Sequence, residues 1–224
     1  MNDFIGALKL VTFAIHKEGY KFIIIFALVT ALLSLLSNSL GLIGLVITLW
    51  CIFFFRDPER VIPVEENVII SPADGVVTRV EYGVIAPDDL GYGAKKFNKI
   101  SVFLNVFNVH VNRVPLSGTV TKVSYKPGKF LSANAAEASE ENERNSVVVK
   151  TANGVEIIFV QVAGLVARRI ISDLKEGQEI HIGDRYGIIR FGSRADIYLP
   201  EDIAIKSLVG QTMIGGETII AKLN

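Results

Sequence analysis

A glycine followed by a serine near the C-terminus, Gly192-Ser193, is the pair of residues in this sequence that could react with each other. Glycine leaves its carbonyl carbon sterically open and allows the backbone to adopt strained angles. The hydroxyl of the following serine can therefore attack that carbonyl and cut the chain. Because Gly-Ser pairs are common at average residue usage, the meaning of this one depends on the residues around it.

Three other segments carry side chains that could take part in such chemistry. Asp74 lies in a Ser-Pro-Ala-Asp-Gly turn, although Asp-Gly is also a common turn sequence. His110 interrupts an alternating strand pattern and could be a general acid or base, or a structural histidine. The pair Arg168-Arg169 could face a phosphate or form only a polar helix face. Taken singly, none of these residues indicates a particular reaction.

The N-terminal part of the chain differs in composition from the remainder. No charged residue occurs from residue 22 to residue 55. As one helix this stretch would be about 50 Å long, whereas a bilayer's hydrocarbon core is about 30 Å thick. The segment Ser37-Asn-Ser39 supplies turn and capping chemistry in the middle. The sequence therefore predicts a helical hairpin with two short arms.

Basic residues flank this apolar segment at both ends. Lys17 and Lys21 precede it, and Arg56 and Arg60 follow it. By the positive-inside rule, both ends are predicted to face the cytoplasm together with the rest of the chain. Each arm is close to the lower limit for spanning, so the hairpin either crosses the bilayer or enters one leaflet. A buried hairpin in the core of a soluble protein is the less favoured alternative.

Composition excludes several classes of function. Basic and acidic residues balance at 23 each, and no nucleic-acid-binding motif occurs, so nucleic-acid binding is not predicted. The three histidines lack the spacing of metal ligands, so no metal site is predicted. The single cysteine, Cys51, excludes an internal disulfide and is predicted to be a buried small apolar residue.

From about residue 64 onward, short β-branched runs are separated by glycine, proline and asparagine. The clearest hairpin, residues 146–162, contains Asn153-Gly154, which suits a type I′ turn. Residues 132–144 are predicted to form a helix or a mobile loop, and residues 164–174 could hold one short helix. This part is predicted to be mainly β and large enough for one compact core.

Seven short segments occur in a characteristic order along nearly the whole chain. They are Phe54-Phe-Arg-Asp-Pro-Glu-Arg60, Ser71-Pro-Ala-Asp-Gly75, Asn108 to Pro115, Pro127-Gly-Lys-Phe130, Asn142-Glu-Arg144, Arg168-Arg169 and Ile189-Arg-Phe-Gly-Ser-Arg194. In this order and at these intervals they resemble the short, membrane-associated class of phosphatidylserine decarboxylases, pyruvoyl-dependent enzymes made as self-cleaving proenzymes. The functional expectations depend on this resemblance rather than on strand periodicity.

The resemblance implies a chemical role for the Gly-Ser pair. The Ser193 hydroxyl would attack the Gly192 carbonyl to give an ester, which breaks by β-elimination. The new N-terminal dehydroalanine would then lose ammonia and become a pyruvoyl group. Residues 1–192 would form the β chain and residues 193–224 the α chain. The two chains would stay together as a heterodimer, and association into a higher oligomer is left open.

The resemblance also implies a membrane lipid as substrate. The pyruvoyl cofactor would form a Schiff base with the amine of phosphatidylserine, and loss of CO2 would give phosphatidylethanolamine. Asp74 and His110 match family positions that assist self-cleavage or decarboxylation. Arg113, Arg168 and Arg194 are candidates for binding the substrate carboxylate or phosphate. The enzyme is expected at the cell membrane, with its catalytic domain on the cytoplasmic side.

The sequence departs from common family patterns near both reactive segments. Arg113 stands where the longer class has a second histidine, so His110 would serve both chemical steps or only the second. Phe191 and Arg194 flank the Gly-Ser pair, where leucine and threonine are common elsewhere.

The expected fold is mainly β: a barrel-sandwich-like β domain at residues 61–224, preceded by an α-helical membrane hairpin at residues 1–60. Three alternatives are kept. An archaetidylserine decarboxylase would share the headgroup chemistry but act on ether-linked lipids. A non-catalytic module like biotinyl or lipoyl carriers would share the strand and glycine pattern, although no Met-Lys-Met or Asp-Lys-Ala turn occurs. An inactive membrane scaffold would remain uncut at 24.5 kDa.

Overall fold

A computed structural model describes residues 13–133, 141–164, 169–190 and 192–223. The chain divides into two compact units, Met1–Glu59 and Arg60–Asn224. The first unit contains two apolar helices, and the second contains antiparallel sheets. The predicted fold class, mainly β with an N-terminal helix pair, is confirmed.

The described residues form two α-helices and a series of short strands. The helices are α1 (Tyr20–Leu36) and α2 (Asn38–Phe54), with 3-10 helices at Lys17–Gly19 and Asp88–Leu90. The strands are β1 (Ala14–Ile15), β2 (Arg56–Asp57), β3 (Val68–Ile70), β4 (Gly75–Ile85), β5 (Lys96–Leu104), β6 (Val111–Arg113), β7 (Gly118–Lys126), β8 (Arg144–Lys150), β9 (Glu156–Ala163), β10 (Ile170–Ser172), β11 (Glu179–Ile180), β12 (Arg185–Ile189), β13 (Ser193–Pro200), β14 (Thr212–Met213) and β15 (Ile219–Lys222).

The predicted apolar hairpin is present in the first unit. Helices α1 and α2 are separated by Ser37, whose hydroxyl accepts a hydrogen bond from the backbone N–H of Ser39 and caps the start of α2. Among the described residues, the helical segment Lys17–Leu36 is long and apolar enough to cross a membrane, while Asn38–Phe54 is a shorter apolar helix.

Small residues allow α1 and α2 to pack closely. The Oγ1 atoms of Thr30 and Thr48 lie 2.9 Å apart, and the Thr48 hydroxyl donates to the Gly44 carbonyl at 2.9 Å. A Cβ atom at Gly44 would lie 2.8 Å from Thr30 Oγ1. The glycine is therefore needed for the close approach of the two helices.

This packing can be tested by crosslinking in a Cys51→Ser background. Because the Thr30 and Thr48 side chains touch, we expect a Thr30→Cys, Thr48→Cys variant to form an intramolecular disulfide readily. Adding Gly44→Leu should reduce the yield severalfold, since the leucine separates the helices. The yield is measured by gel mobility, and Leu28→Cys with Thr48→Cys is the mismatched control. Equal yields with and without Gly44→Leu would contradict this packing.

The second unit is built on an eight-stranded antiparallel sheet that curls into a half-barrel. Its strand order is β11-β7-β8-β9-β13-β5-β4-β14. Strand β13 is central because it pairs with β9 on one side and with β5 on the other. Side chains alternate along it, so that Ile197 and Leu199 enter the main hydrophobic core. Two smaller sheets, β10-β12-β6 and β15-β3, contribute Tyr186 and Ile220 to the same core.

The strand registers bring several strand ends to one end of this sheet. Ser193, the first residue of β13, pairs with Leu104 at the end of β5 and with Ala163 at the end of β9. Val76, the second residue of β4, pairs with Phe103. The loops that precede β4 and β13 and follow β5 and β9 therefore emerge together, and we call this the reactive end of the sheet.

The hairpin predicted for residues 146–162 is confirmed, since β8 pairs with β9 throughout. The predicted type I′ turn is wrong. That turn needs a positive φ at both central residues, and of the pair Asn153-Gly154 only Gly154 has one, at 81°. The N–H of Gly154 donates to the Thr151 carbonyl, and the N–H of Thr151 donates to the Val155 carbonyl, each at 2.9 Å. This pattern is a three-residue loop whose glycine forms a bulge.

The short helix expected within residues 164–174 is also not observed among the described residues. Ile170–Ser172 forms β10, in which Ile170 and Ile171 pair with β12. Pairing with a neighbouring strand thus overrides the weak helical preference of this segment. Residues 165–168, and residues 134–140 of the predicted helix or loop, lie outside the described residues, and β8 begins at Arg144.

Candidate active site

Ser193 begins the central strand at the reactive end of the sheet. Its side chain has no exposed surface, and its Oγ has no hydrogen-bond partner among the residues that the structure describes. A buried hydroxyl without a partner is costly, because it has given up its bonds to water. Such an atom is a candidate for chemistry rather than for stabilising the fold.

Gly192 presents its carbonyl to a second glycine. The φ angle of Gly192 is 71°, in the left-handed region that glycine adopts without strain. A Cβ atom at Gly164 would overlap the carbonyl oxygen of Gly192 and lie 3.0 Å from its carbonyl carbon. The backbone at Gly164, which follows the end of β9, therefore lies directly against the carbonyl that Ser193 would attack.

Asp74 lies in the turn that leads into β4 and is held by several donors. Arg60 Nη2 donates to both carboxylate oxygens, at 2.9 and 2.8 Å, and the N–H of Gly215 donates to Oδ1 at 2.8 Å. The neighbouring Ala73 packs against Leu104 and Ala195 beside Ser193. The turn is thus fixed at the reactive end of the sheet by a charge-assisted bond and by apolar contact.

His110 is buried just before β6 and lies close to the chain that leads to the Gly-Ser pair. Its Nδ1 is 3.0 Å from the carbonyl oxygen of Asn108, a distance that suits an Nδ1–H donor. Its own carbonyl accepts a bond from the N–H of Ile189 at 3.4 Å. On the other side of β6, the N–H of Arg113 donates to the Pro72 carbonyl at 2.9 Å. Strand β6 therefore lies between β12 and the turn that carries Asp74.

These contacts bring together the three segments that carry the four candidate catalytic residues. The turn of Asp74 touches β6 and the first residues of β13, while His110 lies beside the end of β12. The catalytic roles of Asp74, His110, Gly192 and Ser193 remain predictions.

The three arginines predicted to bind substrate differ in environment. Arg113 is buried, and its Nη1 donates to the Gly183 carbonyl at 3.2 Å. Arg168 lies outside the described residues. Arg194 is only 1% exposed, and its Nε and Nη2 donate to the two carboxylate oxygens of Asp196 at 2.8 and 2.9 Å.

The environment of Arg194 favours a structural role. Neighbouring residues on a strand point to opposite faces, so Arg194 points away from the face reached by the Ser193 side chain. Burial alone would lower the pKa of its guanidinium, but the Asp196 carboxylate outweighs that effect and raises the pKa. The predicted contact of Arg194 with substrate remains a prediction.

Two residues near the site are not identified as site residues by the sequence patterns alone. Arg60, named above as a flanking charge and as the end of the first of the seven segments, holds Asp74. Asn142 is fully buried, and its amide donates to the carbonyl of Ala163 at 2.7 Å and to that of Leu131 at 2.8 Å. It therefore fixes the end of β9 just before Gly164. The ordered segments containing Arg60 and Asn142 were the available signal, but no spacing rule predicts these partners.

The described residues contain no group of three or more histidine, cysteine, aspartate or glutamate side chains placed to hold a metal ion.

Comparison with known proteins gives a consistent result. The family model for phosphatidylserine decarboxylase matches residues 47–221. The phosphatidylserine decarboxylase proenzyme of Rickettsia africae is 53% identical over 207 residues, which cover 92% of this chain and 89% of that protein. The proenzymes of Rickettsia akari and Rickettsia typhi are 52% and 51% identical over the same shares of both chains. The chain therefore belongs to the phosphatidylserine decarboxylase family.

Proposed function

We propose that this chain is a proenzyme that cuts itself between Gly192 and Ser193 and then converts phosphatidylserine to phosphatidylethanolamine and CO2. The main support for this proposal is the local structure of Gly192 and Ser193. The Ser193 hydroxyl is buried and has no hydrogen-bond partner among the described residues. Ser193 follows Gly192, whose φ lies in the left-handed region and whose carbonyl contacts the backbone of Gly164. Family membership supports the same reaction.

The self-cleavage involves only groups of this chain and one water molecule. The Ser193 Oγ adds to the Gly192 carbonyl, and expulsion of the Ser193 nitrogen leaves an ester with a free amine. Removal of the Ser193 α-proton breaks the Cβ–O bond, so the carboxylate of Gly192 leaves and residue 193 becomes dehydroalanine. Tautomerisation to an imine and addition of water release ammonia and leave a pyruvoyl group.

The environment of Ser193 suits such a group. Residue 193 is enclosed at the end of a central strand, so the ketone carbonyl of a pyruvoyl group at this position would be shielded from water. A pyruvoyl group supplies a carbonyl that takes up the substrate amine and withdraws electrons as CO2 leaves.

We assign His110 as the group that moves protons at residue 193. If Nδ1–H donates to Asn108, Nε2 of the neutral ring is an acceptor and can take a proton from a hydroxyl or return one to a substrate carbon. Asp74, oriented by Arg60, supplies a fixed negative charge beside β6. Neither assignment involves a metal.

The two products are proposed to remain one folded domain. The α chain, residues 193–224, would contribute β13 between β9 and β5, β14 beside β4, and β15 beside β3. We place the enzyme at the cell membrane through its apolar hairpin, with the β domain on the cytoplasmic side because basic residues flank both arms.

Intact mass measurement tests the cleavage. We expect two chains, one ending at residue 192 and one starting with a blocked residue 193, and we expect Ser193→Ala to stay whole at about 24.5 kDa without decarboxylase activity. Ser146→Ala is the matched control, since Ser146 is also buried and its Oγ also lacks a partner among the described residues. A wild-type chain that stays whole but decarboxylates the lipid would overturn the proposed cofactor.

Replacement of His110 tests proton transfer. Because a positioned general acid or base contributes roughly 100- to 10,000-fold, we expect His110→Gln to slow self-cleavage, lipid turnover or both by at least about 100-fold. Cleavage is followed by gel over time, and turnover is followed by CO2 release. His181→Gln is the control, because the His181 side chain is 80% exposed and lies 3.6 Å from Asp184. Normal rates of both steps in His110→Gln would rule the assignment out.

Gly164→Ala tests the close approach at the carbonyl. Its Cβ would overlap the Gly192 oxygen, so the peptide must move and we expect self-cleavage to slow by about tenfold or more. Gly118→Ala is the control, because its Cβ would likewise overlap a carbonyl oxygen, that of Lys150, away from the reactive end. Thermal unfolding of both variants separates lost stability from lost cleavage. Cleavage slowed equally in two equally destabilised variants would contradict a specific role for Gly164.

A further inference from the structure

Several large apolar side chains of the β domain are exposed at the reactive end of the sheet. Phe107 is 63% exposed, Leu208 74%, Val209 63% and Ile214 40%. Exposed apolar residues are ordinary when scattered singly, but a group of them marks a surface that meets another apolar phase.

The strand registers place these residues near each other. Phe107 lies in the turn after β5, and Ile214 directly follows β14. Strand β4 is paired with both β5 and β14, so the two turns emerge about 10 Å apart from neighbouring strand ends. Leu208 and Val209 belong to a turn bonded to Val77, whose N–H donates to Gln211 and whose carbonyl accepts from Gly210.

The same loops hold two of the candidate catalytic groups. Asn108, the residue after Phe107, offers its carbonyl to Nδ1 of His110. Gly215, the residue after Ile214, donates its N–H to Asp74 at 2.8 Å. Exposed apolar side chains therefore lie on the same loops that hold His110 and Asp74 in place.

We propose that Phe107, Leu208, Val209 and Ile214 form a membrane-docking rim that inserts into the surface of a lipid bilayer around the active site. The inference rests on the proposed lipid substrate. A phosphatidylserine headgroup must reach residue 193 while its acyl chains stay among other lipids. A rim of apolar side chains beside Asp74 and His110 would hold the site at the depth of the headgroups. This surface is additional to the apolar helices α1 and α2.

Another exposed apolar residue of the same sheet, Ile85, provides an internal control for the rim. Ile85 is 61% exposed at the other end of β4, ten residues after Gly75 and so roughly 30 Å away. Ile85 matches the rim residues in exposure and apolar character but not in position. If the rim docks on a bilayer, position 107 enters the lipid and position 85 does not.

The test uses the full chain, self-cleaved and reconstituted into phosphatidylserine-containing vesicles, in a Cys51→Ser background. An environment-sensitive fluorophore is attached to Phe107→Cys or to Ile85→Cys. We expect lipids brominated near the headgroup to quench the label at position 107 and to leave the label at position 85 unchanged. A label at position 107 that reports water in an active, cleaved enzyme would overturn the rim.

Kinetics separate the rim from the proposed function. We expect Phe107→Ser combined with Ile214→Ser to cut kcat/KM for vesicle phosphatidylserine by about tenfold, since two apolar anchors are lost. Self-cleavage and turnover of a short-chain, water-soluble phosphatidylserine should remain normal. Equal turnover of both substrates by variant and parent would reject the rim, whereas absence of turnover in the parent would reject the proposed function instead.

Discussion

The geometry of the candidate active site depends on the position of strand β13. Strand β13 is bonded on both sides along most of its length, to β9 and to β5, and it starts at Ser193. Backbone pairing therefore fixes residue 193, whereas residue 192 lies outside the sheet with a left-handed φ that no ladder imposes. The edge of the sheet therefore coincides with the Gly-Ser bond. The sheet holds the serine that would attack, and the contact with Gly164 holds the carbonyl that it would attack, an arrangement that favours attack within the chain.

Because side chains alternate along β13, the two faces of the strand differ in composition and in role. On one face Ala195, Ile197 and Leu199 fill apolar clusters, and Ser193 ends that row. On the other face Arg194 and Asp196 form a buried ion pair, each 1% exposed. Removing one partner of such a pair costs about 3–5 kcal/mol, because the other charge is left uncompensated. Both charges lie on β13 itself, and Arg194 Nη1 also donates to the Ala133 carbonyl at 2.6 Å, which ties the residue directly after the serine to the segment after β7. A shift of β13 by one residue would move the Ser193 hydroxyl to the wrong face.

Features that depend on local sequence could be predicted, whereas features set by long-range packing could not. The helical hairpin could be predicted from the long stretch without charged residues and from the Ser-Asn-Ser segment in its middle. Both signals are local, because the length of an apolar stretch and the chemistry of a turn are read from consecutive residues. The strand at Ile170–Ser172 was missed, because its pairing with β12 is a tertiary event. The contacts of Arg60 with Asp74 and of Asn142 with Ala163 join loops that no periodicity relates. The resemblance pointed to the segments that contain these residues but not to the partner of each side chain.

The sheet also explains how a chain cut at its active site could keep that site intact. Cleavage between Gly192 and Ser193 would leave every backbone bond of β13 in place, because the cut lies just outside the ladder. The 32 residues of the proposed α chain would be held at three places, through β13, β14 and β15, so their release would require breaking the central sheet. Cleavage would detach Gly192 from β13, whereas Asp74 and His110 would stay fixed by Arg60, Gly215 and Asn108. The constraint that prepares the bond for cleavage would thus also preserve the geometry needed for the lipid reaction.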